Sequence, residues 1–323
     1  MHLLYILILI FFQSFLIFIY RHEISQFFKI IDFPNERKTH LKPTPSIGGL
    51  ILFPVFLEVF FYIYIEKLIS LKIFLIWVSL VIAYFFVGFL DDRTHINAKA
   101  KIFIFISLLI IIIPLDTSLI IQSLKFRDIN TVIVLNQGSI FFTVLCIFFF
   151  NNALNFSDGA NGISISISLI SILYFLYVTH FNEFYLILSL SLLICLIPNI
   201  FSKFFIGNSG VNLLSIVIAL IFLKEYSSNI IYFDEIILLV LIPSIDALRV
   251  VIERIIKKKS PLAPDRTHLH HYMNNIFKAK YVFVPYTILT AMPIIFANFL
   301  LNTYITFLIF LFIYFFIIYK FRK

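Results

Sequence analysis

Residues 73–90 read IFLIWVSLVIAYFFVGFL and run directly into Asp91-Asp92-Arg93. An uncharged stretch of this length is close to the roughly 20 residues a helix needs to cross a bilayer. It is continuously apolar rather than alternating, which excludes a barrel strand. In hydrocarbon every backbone group must be bonded within the chain, so the remaining solution is a transmembrane helix. The same kind of run recurs on both sides of it, at about 3–20, 47–65, 102–115, 139–151, 163–179, 184–199, 211–223, 234–252, 283–299 and 302–319. With residues 73–90 that makes eleven. The expected fold is therefore an all-α polytopic integral membrane protein of about 11 transmembrane helices.

Composition agrees. Of 323 residues, 61% are hydrophobic and 13% charged, where a soluble domain carries about 25% charged residues to clothe its surface. A water-soluble globule and a disordered chain are both excluded. A net charge of +8 would suggest nucleic acid in a soluble protein. Here it records orientation and anionic ligands, and no nucleic-acid partner is expected. Cys146 and Cys195 both lie inside apolar runs and suggest neither a disulfide framework nor a metal cluster. The first run has no basic residue before it and no small-residue cleavage site after it, so it reads as a retained helix.

Basic residues collect in cytoplasmic loops. With the N-terminus outside and the C-terminus cytoplasmic, 20 of the 25 Lys and Arg residues fall inside, leaving Lys67, Lys72, Lys125, Arg127 and Lys224 outside. The chain is read as one membrane-embedded domain, 1–323, with cytoplasmic motif loops at 21–46, 91–101, 151–162, 200–210 and 253–282. The outer connections are short, apart from 116–138, which has the composition of a small exposed hairpin.

Four polar constellations carry the chemistry, all on the inner side. In Gly88-Phe89-Leu90-Asp91-Asp92-Arg93, adjacent carboxylates at a membrane boundary repel and lose hydration, which invites a cation. Mg²⁺ is the expected one, a hard ion that takes carboxylate oxygen and shares itself with substrate phosphates. Alternatively, the two acids cap the following helix. Asn151-Asn152-Ala153-Leu154-Asn155-Phe156-Ser157-Asp158-Gly159-Ala160-Asn161-Gly162 brings amides, a carboxylate and turn-forming glycines between two apolar runs, with an interhelical Asx turn as the plainer reading. Ser260-Pro261-Leu262-Ala263-Pro264-Asp265-Arg266-Thr267-His268-Leu269-His270-His271 offers donors for phosphate or a nucleobase. Three histidines also suit zinc, but no cysteine lies near them. The preceding Lys257, Lys258 and Lys259 read as an anchor for anionic lipid. Asp32-Phe33-Pro34-Asn35-Glu36-Arg37-Lys38-Thr39-His40, with Pro43, Pro45, Gly48 and Gly49 after it, brings Arg37, Lys38 and His40 to the same face.

In this order and on this side, the four motifs resemble those of the polyprenyl-phosphate N-acetylhexosamine-1-phosphate transferase family, over about residues 30–275. The His-Leu-His-His form is similar to the undecaprenyl-phosphate N-acetylglucosaminyl-1-phosphate transferase branch more than to the related phospho-N-acetylmuramoyl-pentapeptide transferase. The resemblance implies a bacterial cytoplasmic-membrane enzyme whose active site opens to the cytoplasm. It would join a UDP-N-acetylhexosamine to a polyprenyl phosphate, giving polyprenyl-diphospho-sugar and UMP and starting a cell-surface glycan such as O-antigen. It implies Mg²⁺, with Mn²⁺ able to substitute, held by Asp91, Asp92 and Asp158. Asp91 or Asp92 would orient or deprotonate the lipid phosphate. Arg266, His268, His270 and His271 would bind the nucleotide and diphosphate, with Asn155 beside them. Lys99 or Lys101 and the Arg37, Lys38, His40 loop would hold phosphates. Membrane lipid is a partner, and the family leaves room for a homodimer.

Two positions depart from the family pattern. Asn161 and Asn208, the latter in Gly207-Asn208-Ser209-Gly210, stand where the family usually has metal-binding Asp. An amide keeps a carbonyl oxygen for Mg²⁺ but removes a full charge. Two other classes follow from the sequence: a weakened or non-catalytic relative that only binds UDP-sugar or polyprenyl phosphate, and a transporter. The transporter is disfavoured because polar groups cluster at one face rather than at span centres. Asp246 and Arg249, three apart in the ninth run, are spaced to pair on one helix face. Glu58, within the second run, reads as bundle-facing or snorkelling.

Overall fold

Each of the eleven apolar runs is helical, and only the ninth is broken. The computed structural model describes residues 2–34, 42–261 and 266–321, so Arg37, Lys38 and His40 lie outside the described residues. The chain forms α1 (His2–Ile19), α2 (Arg21–Phe28), β1 (Ile31–Asp32), β2 (Thr44–Pro45), α3 (Gly48–Ile65), α4 (Leu71–Thr94) and α5 (Ala98–Ile112). It continues through β3 (Ser123–Lys125), β4 (Val132–Val134), α6 (Ser139–Ser157), α7 (Ile163–Val178), α8 (Glu183–Ile200) and α9 (Gly207–Ser227). Last come α10 (Phe233–Leu239), α11 (Leu241–Ile256), α12 (Leu269–Asn274), α13 (Phe283–Phe299) and α14 (Thr303–Phe321).

By length and composition seven helices could cross a membrane: α3, α4, α5, α6, α8, α9 and α14, with α5 and α6 each extended by a 3₁₀ turn. An eighth is added if α1 and α2, bent by 72° at Tyr20, form one broken span. The bend has a sequence cause: α1 is apolar apart from His2, Gln13 and Ser14, whereas α2 opens with Arg21, His22 and Glu23 and leaves the apolar layer. α7 and α13 are shorter apolar helices. The run at 234–252 is divided at Val240 into α10 and α11.

The middle of the bundle is α9, buried along nearly its whole length and packed by α3, α4, α6 and α7. Between apolar helices in lipid there is little hydrophobic gain from association, so close approach and interhelical hydrogen bonds do the joining. Both are present. Ser215 Oγ in α9 donates to Asn151 Oδ1 in α6 (2.8 Å). A Cβ at Gly88 in α4 would lie 2.5 Å from the Ser209 Cα, and one at Gly49 in α3 would lie 2.5 Å from the Ser209 Cβ. Two glycines thus wedge the first turn of α9 between α3 and α4. The backbone finishes the joint: Gly48 and Gly49 donate to Phe205 O and Ile206 O (both 3.1 Å), and Phe205 N donates to Pro45 O (2.8 Å).

The hairpin expected at 116–138 forms as β3 and β4, antiparallel with Ser123 opposite Val134. Arg127 at its turn donates to Glu235 Oε1 (3.1 Å), Asn298 Oδ1 (3.3 Å) and Ala297 O, and its backbone N–H donates to Asp234. Asp128 accepts from the backbone and hydroxyl of Thr303 (2.6 and 2.9 Å). One loop therefore fastens α10, α13 and α14. Of the cysteines, Cys195 is buried and Cys146 half-buried, both free. Glu58 faces the bundle, accepting from Gln13 Nε2 of α1 at 2.8 Å.

Candidate active site

Successive residues on an α-helix point about 100° apart, so Asp91 and Asp92 at the end of α4 cannot serve one spot. Asp91 turns toward α5, accepting from Lys101 Nζ (2.7 Å) and Ile96 N (2.9 Å), and is buried. Asp92 turns toward α9. Its Oδ1 accepts from Asn208 N (2.7 Å), and its Oδ2 accepts from Ser209 N (3.0 Å) and Ser209 Oγ (2.7 Å). The first N–H groups of a helix lack intrahelical partners and carry the positive end of its dipole, so a carboxylate there is doubly favoured. Gly207 makes the approach possible. Its φ is +71°, and a Cβ would stand 2.7 Å from Asp92 Oδ2.

Asp92 lines a cavity of about 1070 Å³ together with Asn155, Asp158, Asn161, Asn208, Arg266 and His271. Asp158 closes the C-terminal end of α6 and accepts from Ser164 Oγ at 2.5 Å. Burial pushes its carboxyl up to about 8; the Ser164 hydroxyl works against this, and the charge of Asp92 adds to it. The two amides are linked, Asn155 Nδ2 donating to Asn208 Oδ1 at 3.2 Å. Asn161 donates to Ser202 Oγ at 2.8 Å on the opposite rim.

Of the four basic residues in the histidine loop's own motif, Arg266 and His271 face the cavity and the other two do not. His268 is buried, with Nδ1 3.0 Å from Asp246 Oδ2 and Nε2 3.4 Å from Arg254 Nη2. His270 is buried behind Gly159, where a Cβ would sit 1.8 Å from its Nε2. Neither ring nitrogen of His270 has a hydrogen-bond partner among the described residues. Burial, reinforced by His271 and His268, holds it well below the usual imidazole range, so it is neutral. Lys99 is exposed and away from the cavity, whereas Lys101 borders a second, smaller cavity of about 160 Å³ with Asn151, Asn152, Asn155 and Asn212. Asn155 belongs to both cavities.

The donor set on the main cavity is hard oxygen: the carboxylates of Asp92 and Asp158 and the amide oxygen of Asn208. No hydrogen bond reaches Asp158 Oδ2 among the described residues, and Asp92 Oδ1 takes only one. Among the described residues no group of three or more His, Cys, Asp or Glu side chains gathers as a metal site. Two carboxylates with amides is instead the sparse set Mg²⁺ takes when water and substrate phosphate complete its octahedron.

The sequence profile described as glycosyl transferase family 4 matches residues 74–225, from the first turns of α4 to the last of α9. The match covers a little under half of the chain and is a likeness to that family. The family segment contains Asp91, Asp92, Lys99, Lys101, Asn155, Asp158, Asn161 and Asn208, and stops before the histidine loop. Among curated relatives, the chain is 29% identical over 255 residues to a probable undecaprenyl-phosphate N-acetylglucosaminyl 1-phosphate transferase of Bacillus subtilis (strain 168), covering 75% of this chain and 68% of the relative. It is 24% identical over 290 residues to a decaprenyl-phosphate N-acetylglucosaminephosphotransferase of Mycolicibacterium smegmatis, covering 77% and 70%. It is 24% identical over 302 residues to the undecaprenyl-phosphate alpha-N-acetylglucosaminyl 1-phosphate transferase of Escherichia coli (strain K12), covering 88% and 80%. The chain is thus a nearly all-α protein with several helices apolar enough to cross a membrane, similar over most of its length to these membrane transferases.

Sequence reading missed Ser209, which anchors Asp92, and several residues that line the cavity. Ser209 supplies two of the three donors to Asp92, and Asn199 accepts from Gly162 N (2.7 Å) while donating to Phe204 O (2.9 Å). Tyr272 and Asn274 of α12, with Asn275 and Lys280 after it, also line the cavity. The signal for Asn199 was present: Pro198-Asn199 interrupts the end of an otherwise apolar helix.

Proposed function

We propose that this chain transfers N-acetylhexosamine-1-phosphate, with GlcNAc-1-phosphate the expected group, from a UDP-sugar to undecaprenyl phosphate at the cytoplasmic face of a bacterial inner membrane. An oxygen of the lipid phosphate forms a bond to the β-phosphorus, the bond from that phosphorus to the bridging oxygen breaks, and UMP leaves with the electron pair. Such a reaction asks for charge neutralisation and in-line placement more than for a strong nucleophile. The observation that carries this reading is the convergence of Asp92, Asp158, Asn208, Arg266 and His271 on one cavity at one end of an apolar bundle. The 20-to-5 division of basic residues supports eleven spans with that end in the cytoplasm.

In this reading Asp92, Asp158 and Asn208 would hold Mg²⁺, which would supply charge neutralisation for the diphosphate. Arg266 offers a planar fork and His271 an imidazole to the nucleotide end. Lys101, kept in place by Asp91 beside the smaller cavity, receives the lipid phosphate, and Asn155 stands between the two substrates. Desolvation raises the Asp158 carboxyl and the nearby Asp92 charge adds to that, which eases the repulsion between the two acids when no cation is bound.

Membranes containing the chain, given labelled UDP-GlcNAc and undecaprenyl phosphate over graded Mg²⁺, are expected to yield label in extractable lipid. No lipid product at any Mg²⁺ concentration with any UDP-N-acetylhexosamine would overturn the reading. A second expectation separates a weakened metal site from an inert one. Asn208→Asp restores one negative charge, and the Mg²⁺ concentration for half-maximal product should fall by about tenfold, equivalent to ~1.4 kcal/mol of cation binding. An unchanged Mg²⁺ dependence would place residue 208 away from the metal.

A further inference from the structure

Asp246 and Arg249 are one turn apart in α11, 1% and 7% exposed, and bonded at 2.8 Å through Asp246 Oδ1 and Arg249 Nη2. A third group completes them. Tyr314, fully buried in the last helix, α14, donates to Asp246 Oδ1 (2.7 Å) and accepts from Arg249 Nε (2.7 Å). The assembled pair then holds three consecutive residues of the loop entering α12. Arg249 Nη2 donates to Thr267 O, Asp246 Oδ2 faces His268 Nδ1 at 3.0 Å, and Asp246 Oδ1 accepts from Leu269 N at 3.0 Å. Arg266 and His271, immediately before and shortly after these residues, are the loop's two cavity-facing basic side chains.

A buried ion pair adds little net stability over apolar residues of the same volume, because desolvation offsets the attraction. A fully bonded polar network in a low-dielectric interior does fix geometry. Here, among the described residues, its bonds beyond α11 and α14 go to one loop. We propose that Tyr314 is a positioning residue for the sugar-nucleotide donor: through Arg249 and Asp246 it holds the 266–271 loop so that Arg266 and His271 meet the UDP end of the substrate. This rests on the functional reading given above. Without the Tyr314 hydroxyl, Arg249 Nε and one oxygen of Asp246 each lose a partner, and Arg249 can shift toward Glu253, already 2.8 Å from its Nη1. Thr267 O is then released, and the loop must be ordered by the substrate at the expense of binding.

The test is Tyr314→Phe, which keeps the buried ring. KM for UDP-GlcNAc should rise about five- to tenfold, with KM for undecaprenyl phosphate and the Mg²⁺ requirement within twofold of the parent. UMP binding to the purified protein, followed by calorimetric titration, should weaken by the same factor as the donor KM. Equal changes in both KM values, or no change in either, would overturn the proposal. Should the variant not accumulate, Arg249→Lys keeps the charge beside Asp246 but cannot bridge Tyr314 and Thr267, and it carries the same expected split. A parent protein that neither makes lipid product nor binds UMP defeats the functional reading and this inference with it. A parent that does both, beside variants that match it, defeats the inference alone.

Discussion

Asp92→Asn should lower the initial rate of lipid-linked sugar formation by about 10²–10³-fold, with the protein still present in the membrane. The size of the effect comes from two losses at one atom group. An amide has one acceptor oxygen where the carboxylate has two, so its NH₂ must confront an N–H or hydroxyl of the α9 first turn that Asp92 now accepts. An unsatisfied buried donor costs about 1–3 kcal/mol. The substitution also removes one of the two negative charges offered to a cation at a site where position 208 is already an amide. Raising Mg²⁺ should recover part of the rate if charge is the larger loss. A rate within tenfold of the parent at ordinary Mg²⁺ would show that Asp92 only caps α9.

Gly88→Ala should have the largest effect on the fold. The added Cβ would lie 2.5 Å from the Ser209 Cα and 2.6 Å from Asn208 O, both backbone atoms that cannot rotate away. Overpacking of this kind costs about 1–3 kcal/mol. It also separates α4 from α9 at the level where Asp92 meets Asn208 and Ser209, so activity should fall further than stability. Gly138→Ala is the control, since nothing lies within 4 Å of a Cβ there. Melting temperatures of the two variants in detergent, with lipid product measured beside them, check this. Indistinguishable behaviour would mean the α4–α9 contact yields easily.

Helices were legible because hydrocarbon leaves so few alternatives: a run such as 73–90 has one stable backbone solution, and all eleven runs are helical. The break at Val240 was not, because a helix end inside a continuous apolar pattern leaves no gap in that pattern; the bend at Tyr20 falls where the first run gives way to Arg21, His22 and Glu23. The cavity was legible as a set of motifs but not as a geometry. Asp91 and Asp92 read as a pair because they are adjacent, yet helical rotation sends one to Lys101 and the other to α9. Likewise three histidines within four residues read as equivalent, and burial divides them, leaving His271 on the cavity and His268 and His270 behind it. Ser209 could not be picked out from the sequence, since a serine beside a glycine at a helix start is commonplace. Its importance depends on two glycines more than a hundred residues earlier.

The clasp made by the β3–β4 hairpin has a bearing on the order of events during synthesis. Arg127 and Asp128 leave the ribosome long before Asn298 and Thr303, to which they bond. Until α13 and α14 are inserted, the hairpin's charged turn has only the α10 acids to hold, and at the other end of the bundle Asp246 and Arg249 lack Tyr314. The final helix is thus tied at both of its ends to groups made much earlier. A chain cut short before α14 would leave Asp128 without its Thr303 donors and the Asp246–Arg249 pair without the Tyr314 hydroxyl, at two levels of the bundle.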